Sequence, residues 1–294
     1  MHYIKAMIDY LIDGKTRGAL NPYALPLNDG YVPSTVYDAI RLTNKIAKRC
    51  VFIDVALKEA DIEGCDFSYS TFINCYFRGA RFKSVNLTGC TFHDCNFRGA
   101  TLVNCTLSYS KWRDTYISKD MVLANLPSYP NVAQELLVNM RTNASSIGQF
   151  GDARAYLYKS ESLSRSHLTK IVTRYSAYYK KYTLGQRLSA LLQLSRSYVE
   201  RFFWGYGEKP GTLALSAAVI ITAFAFYYWP VTTGHFGDAE KLSAQVFVGN
   251  IFTLISADKH QDISWARTIE ALFGIVFIGF LAASLHRRIA TRKE

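Results

Sequence analysis

Glu270 and Arg267 are the only charged residues between 266 and 285, an apolar run of membrane-spanning length. An ionisable group at that depth is costly, and it is either paired or used to move ions or protons. Just before this run, Ile255-Ser256-Ala257-Asp258-Lys259-His260-Gln261-Asp262 gathers hydroxyl, carboxylate, ammonium and imidazole groups into a polar turn. Acidic rings attract cations, and a carboxylate is normally charged at neutral pH; Lys259 and His260 oppose that attraction. No catalytic constellation accompanies these groups. The histidines, His2, His93, His167, His235, His260 and His286, are scattered, and no Gly-rich phosphate loop is present. We therefore expect no enzyme activity, no cofactor and no bound metal. The six cysteines, Cys50, Cys65, Cys75, Cys90, Cys95 and Cys105, lack CxxC spacing. They read as small buried hydrophobes in a reducing compartment.

The elements that must position the polar turn are apolar. Residues 211–229 carry no charge and, as a helix, span about 28 Å. Pro210 suits the first helical position, and Tyr227, Tyr228 and Trp229 read as an interfacial belt. A second helix is expected over 266–285. Between them, Leu242–Leu254 is long enough to enter a bilayer and too short to cross it. Helix, half-helix, polar turn and helix is the plan of a pore, because irregular backbone at membrane depth needs protein or water around it. One chain cannot enclose such a pore, so symmetric assembly, a homotetramer, is implied.

Charge gives an orientation. The formal net charge is +11; 154–210 hold eleven Lys or Arg against three Glu, and Arg287, Arg288, Arg292 and Lys293 follow the last apolar run. Basic flanks favour the cytoplasmic side, which predicts a multi-pass protein of the cell membrane with both termini cytoplasmic. The N-terminus lacks the apolar core and cleavage site of a signal peptide.

The front half obeys a different rule. Every fifth residue from Phe52 to Ile117 is apolar, and two residues before each stands a small or slim one, all six cysteines among them. A period of five fits neither helix nor flat strand. It fits a square solenoid whose five-residue units each make one side and turn a corner. Fourteen units give three and a half coils, a height of about 17 Å. Residues 50–119 carry this repeat. Residues 1–49 are expected to cap its open end, with a helix near Ser34–Arg49. Residues 120–204 read as a cytoplasmic, juxtamembrane helical region: Val132, Leu136, Leu137 and Met140 form one stripe, a second helix covers Asp152–Leu163, and Ser166–Phe203 is amphipathic.

Two resemblances follow. Residues 50–119 resemble the pentapeptide-repeat family, with Ala60-Asp61-Ile62, Ala80-Arg81-Phe82 and Ala100-Thr101-Leu102 as typical units. This resemblance implies a right-handed β-solenoid serving as an interaction surface. Within a domain set at 205–294, about 204–290 resemble the two-transmembrane pore domain of the potassium-channel superfamily, on the lead-in Trp204-Gly205-Tyr206-Gly207-Glu208-Lys209-Pro210, on Phe252-Thr253 and on Arg267-Thr268-Ile269-Glu270-Ala271-Leu272-Phe273-Gly274. The implied filter is Thr253, Leu254, Ile255, Ser256, Ala257 and Asp258. Ile255 and Ala257 replace the family's two glycines, whose backbone freedom lets carbonyls line the axis. A potassium filter is therefore not expected; a wider, weakly selective cation filter is. Asp262 and Glu270 are implied as outer-pore or filter-support residues, and Gly274 and Gly279 as a gating hinge or as close-packing points.

The expected whole has a mixed fold: a β-solenoid, a helical linker and an α-helical pore domain with a re-entrant helix. Its expected function is an oligomeric ion channel regulated through the solenoid. Its partners are membrane lipid, permeant inorganic ions, further copies of the chain and an unidentified protein or ligand at the solenoid. The rival is a non-conducting membrane-anchored scaffold with a decayed pore. Nucleic-acid binding is not expected, and mimicry of DNA ranks last, because residues 50–119 balance seven acids with eight bases.

Overall fold

The computed structural model describes residues 8–17, 28–207, 210–232, 234–249 and 264–290. It divides into two compact units, Met1–Lys170 and Ile171–Glu294.

The first unit is a parallel β-solenoid of about four turns. Coils pair twenty residues apart, as in Phe52↔Phe72, Phe72↔Phe92, Ile62↔Phe82 and Phe82↔Leu102. Four five-residue sides thus make one coil. Both inward rows are buried: Cys50, Val55, Ala60 and Cys65 in the small row, Phe52, Leu57, Ile62 and Phe67 in the large one. Phe52, Phe72, Phe92 and Trp112 stack along the axis at centroid distances of 4.6, 5.0 and 4.1 Å. Phe77 and Phe97 form a second stack at 4.5 Å. Burying each such ring contributes about 1.5–3 kcal/mol. The corners lie two residues after each large residue, with φ between 49° and 71° from Ala39 to Asp114. Asn, Asp and Gly, which tolerate this left-handed backbone, hold most of them. At Gly89 even a methyl group would collide with the Tyr69 ring of the preceding coil.

The small row also carries hydrogen bonds. The thiols of Cys65, Cys75, Cys95 and Cys105 donate to carbonyls 23 residues earlier at 3.5 Å, and Cys90 does so at 2.9 Å. The Ser70 hydroxyl makes the same bond to the Ala47 carbonyl at 2.8 Å. All six cysteines are buried and unbridged. Burial pushes the Cys90 thiol up to about 12.

The solenoid starts before residue 50. The helix expected over Ser34–Arg49 does not form; strands Gly30–Val32, Thr35–Val36 and Arg41–Thr43 stand there. The apolar row runs back through Val32, Tyr37, Leu42 and Ala47, and the left-handed corners at Ala39 and Asn44 break any helix. The assignment of all of 1–49 to a cap is corrected accordingly. Thr16–Arg17 pairs with Gly30–Tyr31 and covers one edge of the first coil. A short helix, α1 (residues 8–12), instead covers a side: Ile8, Leu11 and Ile12 pack with Tyr31 on Val51, Ile53 and Ile73.

The other end is closed by α2 (Lys119–Ala124) and α3 (Pro130–Ser146). The α3 face of Val132, Ala133, Leu136, Leu137, Met140, Asn143 and Ala144 is buried. Three asparagines extend the backbone ladder. The Asn143 amide accepts from Thr115 N and donates to Thr115 O, both at 2.9 Å. Asn139 does the same for Trp112 at 2.7 and 3.3 Å. Asn125 accepts from Cys105 N at 2.7 Å and donates to Leu102 O at 3.0 Å. A terminal coil would otherwise expose an unpaired edge. From α4 (Phe150–Thr173), Ala153 and Tyr156 join the solenoid core.

The second unit is helical: α5 (Leu184–Trp204), α6 (Pro210–Tyr228), α7 (Phe236–Gly249) and α8 (Ser264–Ala290). A capping box of Thr183 and Gln186 starts α5, and Gly205 ends it in the left-handed conformation. Ser216 ties α6 to the last turn of α5, donating toward the Phe203 carbonyl at 3.0 Å. α7 packs against both α6 and α8.

Candidate membrane-embedded site

The sequence places few polar groups in the α6–α7–α8 bundle, and the fold brings three of them together. Glu270, nearly two turns into α8, is fully buried. Its Oε2 accepts from the Tyr228 hydroxyl of α6 at 2.7 Å, and its Oε1 accepts from the Ser243 hydroxyl of α7. Ser243 Oγ also lies 2.8 Å from the Ile221 carbonyl, so its single proton faces two acceptors. One carboxylate therefore ties three helices. Ala225, Ala239 and Ala266 are buried beside it, and such small residues let membrane helices approach closely. Midway along α8, Phe277 packs edge-on against Phe247 of α7 at 5.6 Å and near Phe203 of α5 at 6.2 Å.

The helices around this tie are apolar outward. Gly211–Tyr228 and Trp265–His286 are long and apolar enough to cross a membrane, and only 22% and 28% of them, respectively, is buried. Leu215, Phe226, Leu272, Phe273 and Val276 face outward. Helices apolar all round are found inside proteins or in lipid. The described part of α7, 14 residues at about 1.5 Å each, reaches about 21 Å against a hydrocarbon core of about 30 Å. α5 adds an exposed apolar stripe of Leu184, Leu188, Leu191, Leu192, Val199 and Phe202.

Of the sequence-derived residues, Thr253, Leu254, Ile255, Ser256, Ala257, Asp258 and Asp262 lie outside the described residues. Glu270 is placed as above. Gly274 is buried and Gly279 exposed, and α8 runs through both without interruption. Tyr228 is corrected: it is fully buried with its hydroxyl on Glu270, whereas Tyr227 and Trp229 face outward as a belt would. The partnership of Ser243 and Tyr228 with Glu270 was not foreseen. Its trace in the sequence is a serine near the start of the apolar run Leu242–Leu254. Among the described residues, no three His, Cys, Asp or Glu side chains are grouped to hold a metal ion.

Residues 65–122 match the family model described as Pentapeptide repeat region. The β-solenoid is thus of the pentapeptide-repeat kind. A pentapeptide repeat protein (Rfr23) from the cyanobacterium Cyanothece 51142 is similar at 19% identity and a TM-score of 0.29, over 31% of this chain and 61% of that one. QnrB1, a plasmid-mediated fluoroquinolone resistance protein, is similar at 16% identity and a TM-score of 0.25, over 31% of this chain and 53% of that one. A pentapeptide repeat protein from the Arabidopsis thaliana thylakoid lumen shares 16% identity at a TM-score of 0.18, over 38% of this chain and 81% of that one. No curated protein matches the chain.

Proposed function

We propose that this protein is the subunit of an oligomeric membrane ion channel, most simply a homotetramer, regulated through its pentapeptide-repeat solenoid. The observation that carries the reading is the Glu270 tie: a helix described over 14 residues is held between two of spanning length by a buried carboxylate. A re-entrant helix followed by a polar turn brings hydroxyl and carboxylate groups to membrane depth, where copies related by symmetry surround a water-filled path. Thr253 and Ser256 hydroxyls and an Asp258 ring then favour cations, with weak selectivity. The exposed apolar stripe and the basic residues of α5 suit the cytoplasmic headgroup region, with both termini on that side. Ligand or partner binding at the solenoid gates the pore only insofar as it differs between open and closed states.

The test is single-channel recording from purified protein in planar bilayers. Reproducible unitary currents that change in Thr253→Ala and Asp258→Asn variants support the channel. Silence under every ionic condition favours the second reading, a membrane-anchored scaffold. Ile255 and Ala257 at the positions of the family's filter glycines favour that reading.

A further inference from the structure

Most facing charges on the solenoid alternate in sign from coil to coil. Asp61 stands between Arg41 at 3.9 Å and Arg81 at 3.8 Å; Glu63 meets Lys83 at 2.6 Å; Asp29 meets Arg49 at 2.7 Å. Two columns break the rule: Asp94 faces Asp114 in the next coil, and a cationic column stands elsewhere. Lys58, Arg78 and Arg98 occupy the same place in three successive coils, all exposed. At a spacing of about 4.8 Å per coil, the three backbone positions fall within about 10 Å. Like charges directly opposed across strands are destabilising, so the column stores repulsion that a bound anion relieves.

The surroundings form a site. The three cations line a groove of about 620 Å³, a volume typical of small-molecule sites. Arg98 lies over the Tyr116 ring at 4.3 Å, and Tyr76 lines the groove with Arg78. Neither aromatic side chain cancels the charge of its neighbouring guanidinium. Lys58 is the more neutralised member, with Glu59 at 3.5 Å and the Asp38 carboxylate on its backbone N–H at 3.3 Å. Gly79 and Gly99 leave the rim beside the two arginines bare of side chains.

We propose that this groove binds an oligophosphate, a chain of two or more linked phosphates such as the tail of a nucleoside polyphosphate. Planar guanidiniums form paired hydrogen bonds to phosphate oxygens, and the column repeats its charges along one line, as such a chain does. The site lies wholly within the solenoid and stands whether or not the membrane unit conducts.

The experiment is isothermal titration of the full chain in detergent with sodium tripolyphosphate. ATP and a soluble dioctanoyl phosphoinositide bisphosphate form parallel arms. Saturable binding of one tripolyphosphate per chain is expected. It weakens at least tenfold in R78Q/R98Q and by less than twofold in K111Q/R113Q, which removes the same charge from another side. Tighter binding of ATP or of the lipid headgroup, lost in the same variant, supports the site and identifies its source. No saturable binding by the wild type, or equal weakening in both variants, overturns the proposal, because net charge would then explain any attraction. All four positions are exposed, so unchanged melting temperatures verify that the variants fold.

Discussion

Replacing Asn143 by alanine should unravel the solenoid from one end. The Asn143 amide is buried and supplies both hydrogen bonds that complete Thr115, each at 2.9 Å. Each bond contributes about 1 kcal/mol net, and a buried backbone group left without a partner costs about 1–3 kcal/mol. The variant should therefore lose about 2–4 kcal/mol of local stability, a factor of roughly 30 to 700 in the opening equilibrium at 1.4 kcal/mol per tenfold. The stack behaves as a one-dimensional array in which each coil touches only its neighbours, so the loss belongs to the last coil. Hydrogen exchange read by mass spectrometry resolves this. The amides of Thr106, Lys111 and Tyr116, which bond the carbonyls of Val85, Cys90 and Cys95 at 2.8–3.0 Å, should exchange faster by that factor. The amides of Thr71 and Arg81, bonded to Cys50 and Ala60 at 2.8 Å, should change far less. Equal acceleration along the whole array, or none at the last coil, would refute the assignment of Asn143 as the edge-closing residue.

Three further outcomes are expected. Glu270→Ala leaves the buried Tyr228 hydroxyl without its acceptor and should cost about 1–3 kcal/mol, while Glu270→Gln keeps an acceptor and should cost about 0.6 kcal/mol; melting in detergent should show Tyr228→Phe and Glu270→Ala to be non-additive. Phe72→Ala empties the middle of the axial stack and should cost about 3–5 kcal/mol, read as a lower denaturant midpoint for the solenoid. The Cys90 thiol ionises near 12 when folded and near 9 as an ordinary thiol, with burial as the chief cause. Because the folded value is the higher one, its stabilising contribution is intact below pH 9 and is lost as pH rises toward 12. Solenoid melting temperatures should fall over that window, and native Cys90 should resist maleimide at pH 7.5 until the chain unfolds.

The five-residue rhythm was legible because it is local. Every inward position from Phe52 to Ile117 announces itself by side-chain type alone. The first coils were hidden because Ile40 and Lys45 stand where later coils carry small residues, although Val32, Tyr37, Leu42 and Ala47 keep the apolar beat. The apolar helices were legible for the same local reason. The closing asparagines were not, since Asn139 and Asn143 meet their partners across 27 and 28 residues. The Glu270 tie spans 27 and 42 residues and depends on how three helices turn their faces. No periodicity encodes that. The seat of residues 8–12 on a side of the solenoid was not legible, because the outward apolar side chains Val51, Ile53 and Ile73 form a patch only after the coils stack.

Twenty residues per coil makes the length of this module a quantised property. Deleting five residues between Lys58 and Arg78 would keep every ring on the axis yet rotate all later outward side chains by a quarter turn, moving Arg78 and Arg98 to a different wall from Lys58. Only a deletion or insertion of twenty preserves each wall's lettering. Natural length variants of this chain that keep the groove should therefore differ by whole coils, and designers lengthening it should copy Asp61–Ala80 or Arg81–Ala100 entire.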